Sequence, residues 1–108
     1  LGLKDKAAVE RLLHLAEDEE QDGELRLYFA FAVGHSGLKD KAVEILLHLA
    51  EDEKQAGRLR VSCAFAVGGL VGIDKTVEIL IDLYLAEPDK NSSNARFIYI
   101  SLWELTAV

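Results

Sequence analysis

The chain has little of several features that define common classes of protein. It contains a single cysteine, Cys63, so no disulfide can form within it. This favours a reducing compartment, and we expect a cytoplasmic protein. Its most apolar stretch, Phe97–Val108, is interrupted by Glu104 and is shorter than the roughly 20 residues that a membrane-spanning helix needs. The sequence therefore predicts neither a disulfide scaffold nor a membrane partner.

Positive charge is also scarce. The 108 residues include 12 Lys and Arg against 19 Asp and Glu, which gives a net charge of −7. Because so acidic a chain is repelled by phosphate backbones and anionic lipid surfaces, we expect no nucleic-acid partner. Half of the residues are apolar and only one is proline, which indicates an ordered chain. The length suits a single domain over 1–108.

What the chain does have is an internal repeat. Residues Ala8–Gly34 align with Ala42–Gly68 at a shift of 34, and 20 of 27 positions are identical. A third, diverged copy begins at Gly72 and resumes at Ala95–Phe97 after a loop that contains Pro88. A period in this range is typical of stacked helical repeats. We expect three repeats, at about 2–36, 37–71 and 72–108.

Each repeat has the pattern of two helices, because its apolar residues recur at three- and four-residue spacing. The predicted fold class is all-α, an α-α superhelix (solenoid) of three stacked helical hairpins. Its six helices are predicted at residues 5–20, 23–34, 40–54, 57–69, 74–86 and 93–106. Asp5, Asp40 and Asp74 are predicted N-caps of the first helices. Gly34 and Gly68 are predicted to end the second helices in the left-handed conformation.

The second helix of each repeat carries a family resemblance. Leu25–Gly34 and Leu59–Gly68 both read Leu-Arg, then alanines, then Ala-Val-Gly, and Ala95-Arg96 continues the pattern. This resembles the bacterial HEAT-like repeat of the bilin-lyase type. Tetratricopeptide repeats share the 34-residue period, but their Trp, Leu-Gly and Tyr pattern and their closing proline are missing, so they rank second. The resemblance implies that Arg26, Arg60 and Arg96 tie adjacent repeats together through acidic partners.

The resemblance also implies a binding surface, because the second helices of HEAT-like stacks face the inner, concave side. Positions four apart on these helices are apolar, and they form a predicted ladder along one groove for a protein or peptide partner. The ladder consists of Leu27, Phe31, Val61, Phe65 and Phe97. The alternative is that these side chains wedge between neighbouring repeats as core.

Residues that suggest chemistry have simpler interpretations. His14 and His48 lie one repeat apart on the polar side of the first helix, too far apart to share one metal ion, so we expect no metal site and no cofactor. Cys63 occupies a core position with no base nearby, and no catalytic residue is predicted. The acidic runs at Glu17–Glu20 and Glu51–Glu53 are expected to be solvated and to attract a basic partner.

The two ends of the predicted stack differ. Arg11 takes the place that Ile45 and Ile79 hold in the later copies, as in a polar terminal cap. The last helix has hardly any polar side, and Ile100 and Trp103 are candidates for self-association. Either a further repeat or a homodimer through this helix would cover it.

These observations favour a protein–protein interaction scaffold with no enzyme activity. An alternative is a non-catalytic or accessory subunit of a bilin lyase-like enzyme, because the resemblance includes such subunits. A purely structural repeat protein is the third reading. The glycosylases with HEAT-like folds need a basic groove, which the charge of −7 opposes.

Overall fold

The computed structural model describes residues 5–107, and these form six α-helices and no strand. The helices are α1 (Lys6–Glu17), α2 (Gly23–His35), α3 (Lys39–Glu51), α4 (Gly57–Val71), α5 (Ile73–Ala86) and α6 (Ser93–Thr106). Each helix packs against the next one in the chain. In addition, α1 packs on α3 and α3 on α5, while α2 packs on α4 and α4 on α6. The predicted all-α stack of three helical hairpins is confirmed.

One continuous core runs between the two layers of helices. Its largest fully buried aliphatic side chains are Leu46, Leu49, Leu80, Ile98 and Val33. They come from four different helices, and they meet because apolar residues at helical spacing line one side of each helix. Within the described residues, no helix is long and apolar enough to cross a membrane.

The first helices of hairpins one and two end three residues earlier than predicted. Asp18 and Asp52 follow α1 and α3 with extended backbone, and each carboxylate accepts a hydrogen bond from the backbone N–H two residues on. Such a bond offers the backbone a turn in place of another helical turn. The same N–H bond, from Lys54, lowers the pKa of Asp52. These aspartates stop the helices, although the acidic runs are otherwise compatible with helix.

The prediction for the N-caps is right at one of three positions. Asp5 caps α1 and accepts from the N–H of Ala7 at 3.0 Å. Asp40 and Asp74 were wrongly assigned as caps, because α3 and α5 begin one residue before each of them. Both lie inside the first helical turn, where their charge still suits the positive end of the helix dipole.

The prediction for Gly34 and Gly68 is wrong, and the reason lies in the packing. The described residues with positive φ are Gly37 and Gly72, at φ 107° and 118°, which follow α2 and α4. Gly34 and Gly68 lie within those helices, where the first helix of the next hairpin approaches closely. A Cβ atom at Gly34 would lie 3.0 Å from the Cβ of Ala42 and would also overlap Leu70; one at Gly68 would overlap Thr76. Both glycines therefore allow two helices to approach.

Burial shows that the third hairpin keeps the 34-residue period without a shift. Three positions of the second helix, spaced three residues apart, are buried in every hairpin. They are Leu27, Val61 and Ala95; Ala30, Ala64 and Ile98; and Val33, Val67 and Ser101. The sequence alignment had matched Ala95-Arg96 to Leu59-Arg60, two residues out of this register. Consequently Asn94, and not Arg96, is the structural equivalent of Arg60.

Candidate binding surface on the second helices

The repeated arginines link the two helices of one hairpin. The Nε atom of Arg26 donates to the carbonyl of Ala16 at 2.8 Å, and that of Arg60 donates to the carbonyl of Ala50 at 2.7 Å. These carbonyls lie in the last turns of α1 and α3, where helical partners are lacking. The expectation of acidic partners in a neighbouring repeat is therefore wrong for both. Arg96 is exposed.

In the third hairpin the same link is made by different groups. Asn94, at the position equivalent to Arg60, donates from Nδ2 to the carboxylate of Glu87 at 2.9 Å. Glu87 directly follows α5, so the bond again joins the start of the second helix to the end of the first. A fixed polar contact thus closes each hairpin, and the arginines are structural elements of the stack.

The five residues of the predicted ladder differ in exposure. Leu27 and Val61 are 8% and 2% exposed and belong to the core, as in the alternative interpretation of the ladder, although Leu27 also lines a groove between α2 and α4. Phe31 and Phe97 are half-buried against the core, and Phe65 is 39% exposed. The cause is the geometry of the helix, which has about 3.6 residues per turn, so residues four apart do not point in the same direction. Leu27 and Val61 point towards the other layer of helices.

A different row of positions is exposed in the correct register. Phe31, Phe65 and Tyr99 are equivalent, and the last two are 39% and 58% exposed. Ile100 and Trp103, on the same helix as Tyr99, are 51% and 62% exposed. We name the exposed side of α2, α4 and α6 the second-helix face. It includes the large exposed residues Tyr28, Phe65, Tyr99, Ile100 and Trp103, and Leu25 of α2 and Val71 of α4 are also exposed.

Contacts between neighbouring helices define how this face is built. The ring of Phe31 extends from α2 towards Gly69 of α4, where an added Cβ atom would lie 3.3 Å from its Cε1 atom. Phe31 also meets His35 edge-on, with ring centroids 4.4 Å apart. One hairpin later, Trp103 holds the position of Gly69, and Phe65 holds that of Phe31. The repeat therefore places Phe65 and Trp103 on adjoining parts of the face, with a large side chain where the second hairpin has Gly69.

The starts of the second helices form two shallow grooves on either side of Arg58. One groove, of about 420 Å³, lies between α2 and α4 and is lined in part by Tyr28 and Leu59. The other, of about 360 Å³, lies between α4 and α6 and is lined in part by Phe97. The guanidinium carbon of Arg58 lies 5.2 Å from the centre of the Phe97 ring, within the range of a cation–π interaction. Arg58 is exposed, so it adds a positive group to this part of the face.

Negative charge is concentrated at the turns within the hairpins. Exposed carboxylates are concentrated at the ends of α1, α3 and α5 and in the turns after them: Glu17, Asp18, Glu19, Glu20, Glu51, Glu53 and Asp89. Near this edge, the hydroxyl of Tyr28 donates to the carboxylate of Glu24 at 3.0 Å, and this hydrogen bond raises the pKa of Tyr28. An acidic edge therefore borders the starts of the second helices.

The cysteine and histidines that were considered as catalytic or metal-binding residues lie at positions that explain them structurally. Cys63 is fully buried, as expected, and burial raises the pKa of its thiol to about 12 despite the nearby Arg26. A thiol in this state is a poor nucleophile near neutral pH. His14 and His48 are exposed on the outside of α1 and α3, as predicted. Among the described residues, no three His, Cys, Asp or Glu side chains are grouped so that they could hold a metal ion.

Sequence reasoning overlooked Tyr28 and Tyr99 as members of the exposed face. The available signal was the constant spacing of 34, which makes Tyr99 the equivalent of Phe65. Comparison with known proteins adds no further constraint, since no protein-family model, no curated protein and no solved structure matches the chain.

Proposed function

We propose that this chain is a non-catalytic scaffold of the HEAT-like type that binds a protein or peptide partner on its second-helix face. The observation that carries the proposal is the concentration of large exposed apolar side chains on two neighbouring helices. Phe65 lies on α4, and Tyr99, Ile100 and Trp103 lie on α6, all at least 39% exposed. Contiguous apolar surface of this kind marks partner sites in soluble proteins.

The type of residue supports the same conclusion. Trp and Tyr contribute disproportionately to binding free energy, because each buries a large rigid surface and retains a polar group at its edge. Between the first two hairpins, α2 and α4 contact each other more extensively than α1 and α3 do, as expected if the second helices lie on the inside of a curved stack there; between the last two hairpins the two layers are contacted about equally. An inner surface lets one extended partner contact several repeats.

Charge supports a basic partner. Exposed carboxylates border the starts of the second helices, and the chain carries −7 overall. Such a field accelerates the approach of a positively charged segment, and the effect is screened by salt. We expect the association rate of a basic peptide to fall as ionic strength rises, while its dissociation rate changes little. An association rate that is independent of salt would contradict this part of the proposal.

The test uses linear peptides selected from a displayed library against the intact chain. Their dissociation constants are then measured for wild type, Phe65→Ser and Trp103→Ser by isothermal titration calorimetry. A central Trp contributes about 2 kcal/mol or more, so Trp103→Ser should weaken binding by about 30-fold. Ile73→Ser is the matched control, because Ile73 is 51% exposed but is the first residue of α5, which is not one of the second helices.

Two results would overturn the proposal. One is that no peptide binds the folded wild-type chain, which would favour a purely structural repeat. The other is that selected peptides bind Trp103→Ser and wild type equally well. Circular dichroism on each variant separates loss of binding from loss of fold. We also propose a cytoplasmic location, supported by the single buried cysteine; recovery of the protein outside the cytoplasm on cell fractionation would contradict it.

A further inference from the structure

The two grooves at the starts of the second helices differ in charge. Asp22 and Glu24 line the groove between α2 and α4. At the equivalent positions, 34 residues later, the chain has Ala56 and Arg58, and the described residues that line the groove between α4 and α6 include no carboxylate. Arg58 borders both grooves, but its guanidinium lies over the ring of Phe97 on the α6 side. The repeat thus provides two similar grooves, of which one is acidic.

The acidic groove has an apolar floor. Leu27 of α2 is buried, and Leu59 of α4 is half-buried against the core. Gly23, the first residue of α2, has no side chain, and a Cβ atom there would overlap Cδ2 of Leu59. Leu59 therefore packs directly on the start of α2 and joins the two helices beneath the groove. The exposed ring of Tyr28 lines the same groove.

The polar groups around this floor include three acceptors. Oδ1 of Asp22 accepts from the backbone N–H of Glu24 at 2.9 Å, and Oε1 of Glu24 accepts from the hydroxyl of Tyr28 at 3.0 Å. In the part of the chain that the structure describes, these bonds use one oxygen of each carboxylate and leave the other for a further donor. Gln55 donates from Nε2 to the carboxylate of Asp52, and its carbonyl oxygen faces the start of α2. The groove therefore suits a ligand that brings donors and positive charge.

We infer that the groove between α2 and α4 binds an arginine or lysine side chain of the partner, an inference that rests on the proposed function. Such a side chain has an aliphatic stem that packs on an apolar floor and a terminal cation that donates to carboxylates. The ring of Tyr28 adds a surface for a cation–π contact. An acidic side chain would be repelled by Asp22 and Glu24, and a purely apolar one would remove water from both carboxylates without replacing it. Arg58 repels a cation from the groove between α4 and α6.

A small probe tests this site without an identified partner. The probe is n-butylguanidinium, which has the stem and the cation of arginine, titrated into the full chain and followed by NMR of leucine methyl and tyrosine ring signals. Saturable shifts in the millimolar range are expected at Leu27, Leu59 and Tyr28, and none at Phe97. Shifts that do not saturate, or that are as large at Phe97, would overturn the inference.

Matched variants separate the groove from the general acidity of the chain. Asp22→Asn with Glu24→Gln removes both charges but keeps a good N-cap and an acceptor for the hydroxyl of Tyr28. This pair should weaken binding of the probe by roughly fivefold to tenfold, as expected for two exposed ion pairs. Glu19→Gln with Glu20→Gln makes the same change in net charge in the exposed turn before α2 and should leave binding nearly unchanged. Equal weakening by both pairs would show non-specific attraction and contradict a site in the groove.

The peptides selected for the proposed function distinguish its failure from failure of this inference. Those peptides should be rich in arginine or lysine, and Asp22→Asn with Glu24→Gln should weaken them as it weakens the probe. If Trp103→Ser weakens the peptides and the groove pair does not, the binding face stands and the basic side-chain site is wrong. If the probe binds in the groove and no peptide binds the chain, the site stands and the scaffold function is wrong.

Discussion

Replacing Gly68 by alanine tests how closely the hairpins are packed. A Cβ atom at this position would overlap the Oγ1 atom of Thr76 and lie 3.1 Å from its Cβ. Thr76 cannot move aside easily, because it is fully buried and donates to the carbonyl of Ala64 at 2.8 Å. Its branched side chain also has few rotamers available. The added methyl group must therefore push α5 away from α4 or break this hydrogen bond.

The expected magnitude follows from two opposing terms. Overpacking of a well-filled site costs about 1–3 kcal/mol, while alanine in place of glycine within a helix returns about 0.5–1 kcal/mol. Gly68→Ala should therefore destabilise the chain by about 0.5–2 kcal/mol. The neighbouring Gly69 is exposed, and its added Cβ would meet only the edge of the Phe31 ring at 3.3 Å. Gly69→Ala has the same helix-propensity gain with little overpacking, so it should be neutral or stabilising.

Urea denaturation followed by circular dichroism measures both variants, and the quantity that matters is the difference between them. We expect Gly68→Ala to be less stable than Gly69→Ala by about 1–3 kcal/mol. Thr76→Ala should cost less in the Gly68→Ala background than in wild type, since it removes the overlapping oxygen. Equal stability of the two glycine variants, or additive effects of Gly68→Ala and Thr76→Ala, would refute the close approach of α4 and α5.

Three further predictions concern other parts of the stack. Arg60→Ala should reduce the free energy of unfolding by about 1–3 kcal/mol because a charged hydrogen bond to the end of α3 is lost, whereas Arg96→Ala at an exposed site should change it by less than about 0.5 kcal/mol; equal losses in urea denaturation would contradict the structural assignment. Cys63 should react with a thiol reagent at pH 8 only as fast as the protein opens, and rapid labelling of the native chain would contradict its burial. Because burial raises the pKa of Cys63 from 9.0 to about 12, this group should not affect the free energy of unfolding below pH 9 and should lower it as pH rises from there. Asp22→Ala should destabilise α2 by about 0.5–2 kcal/mol, while Ala56→Ser should stabilise α4, whose N-cap makes no side-chain hydrogen bond; a thermal melt of each variant measures both, and an unchanged midpoint for Asp22→Ala would show that its cap bond contributes nothing.

The existence and order of the helices could be predicted from the sequence because they depend on apolar spacing within each segment. The ends of α1 and α3 were less predictable, since Asp18 and Asp52 compete with the helix through hydrogen bonds that lie only two residues away. Glycines were the hardest to interpret. Whether a glycine provides a positive φ, as Gly72 does, or space for another helix, as Gly68 does, depends on neighbours that are distant in the sequence.

The binding surface was only partly predictable, for a related reason. Phe65 was placed on it through the resemblance to HEAT-like repeats, and it is exposed. Leu27 and Val61 were placed there too, although a change of one position around a helix moves a side chain from the surface to the core. In the third hairpin, the visible Ala-Arg pair favoured an alignment shifted by two residues. The buried positions of α6, such as Ile98, show the correct register, and this requires the structure.

The most direct test of the central claim is to map a selected peptide onto the isotope-labelled chain by NMR chemical-shift perturbation. If the second-helix face is the binding surface, the largest shifts should fall on α4 and α6 around Phe65, Tyr99 and Trp103, including the indole N–H. Shifts confined to the outer helices near His14 and His48, or to the acidic turns alone, would contradict the account.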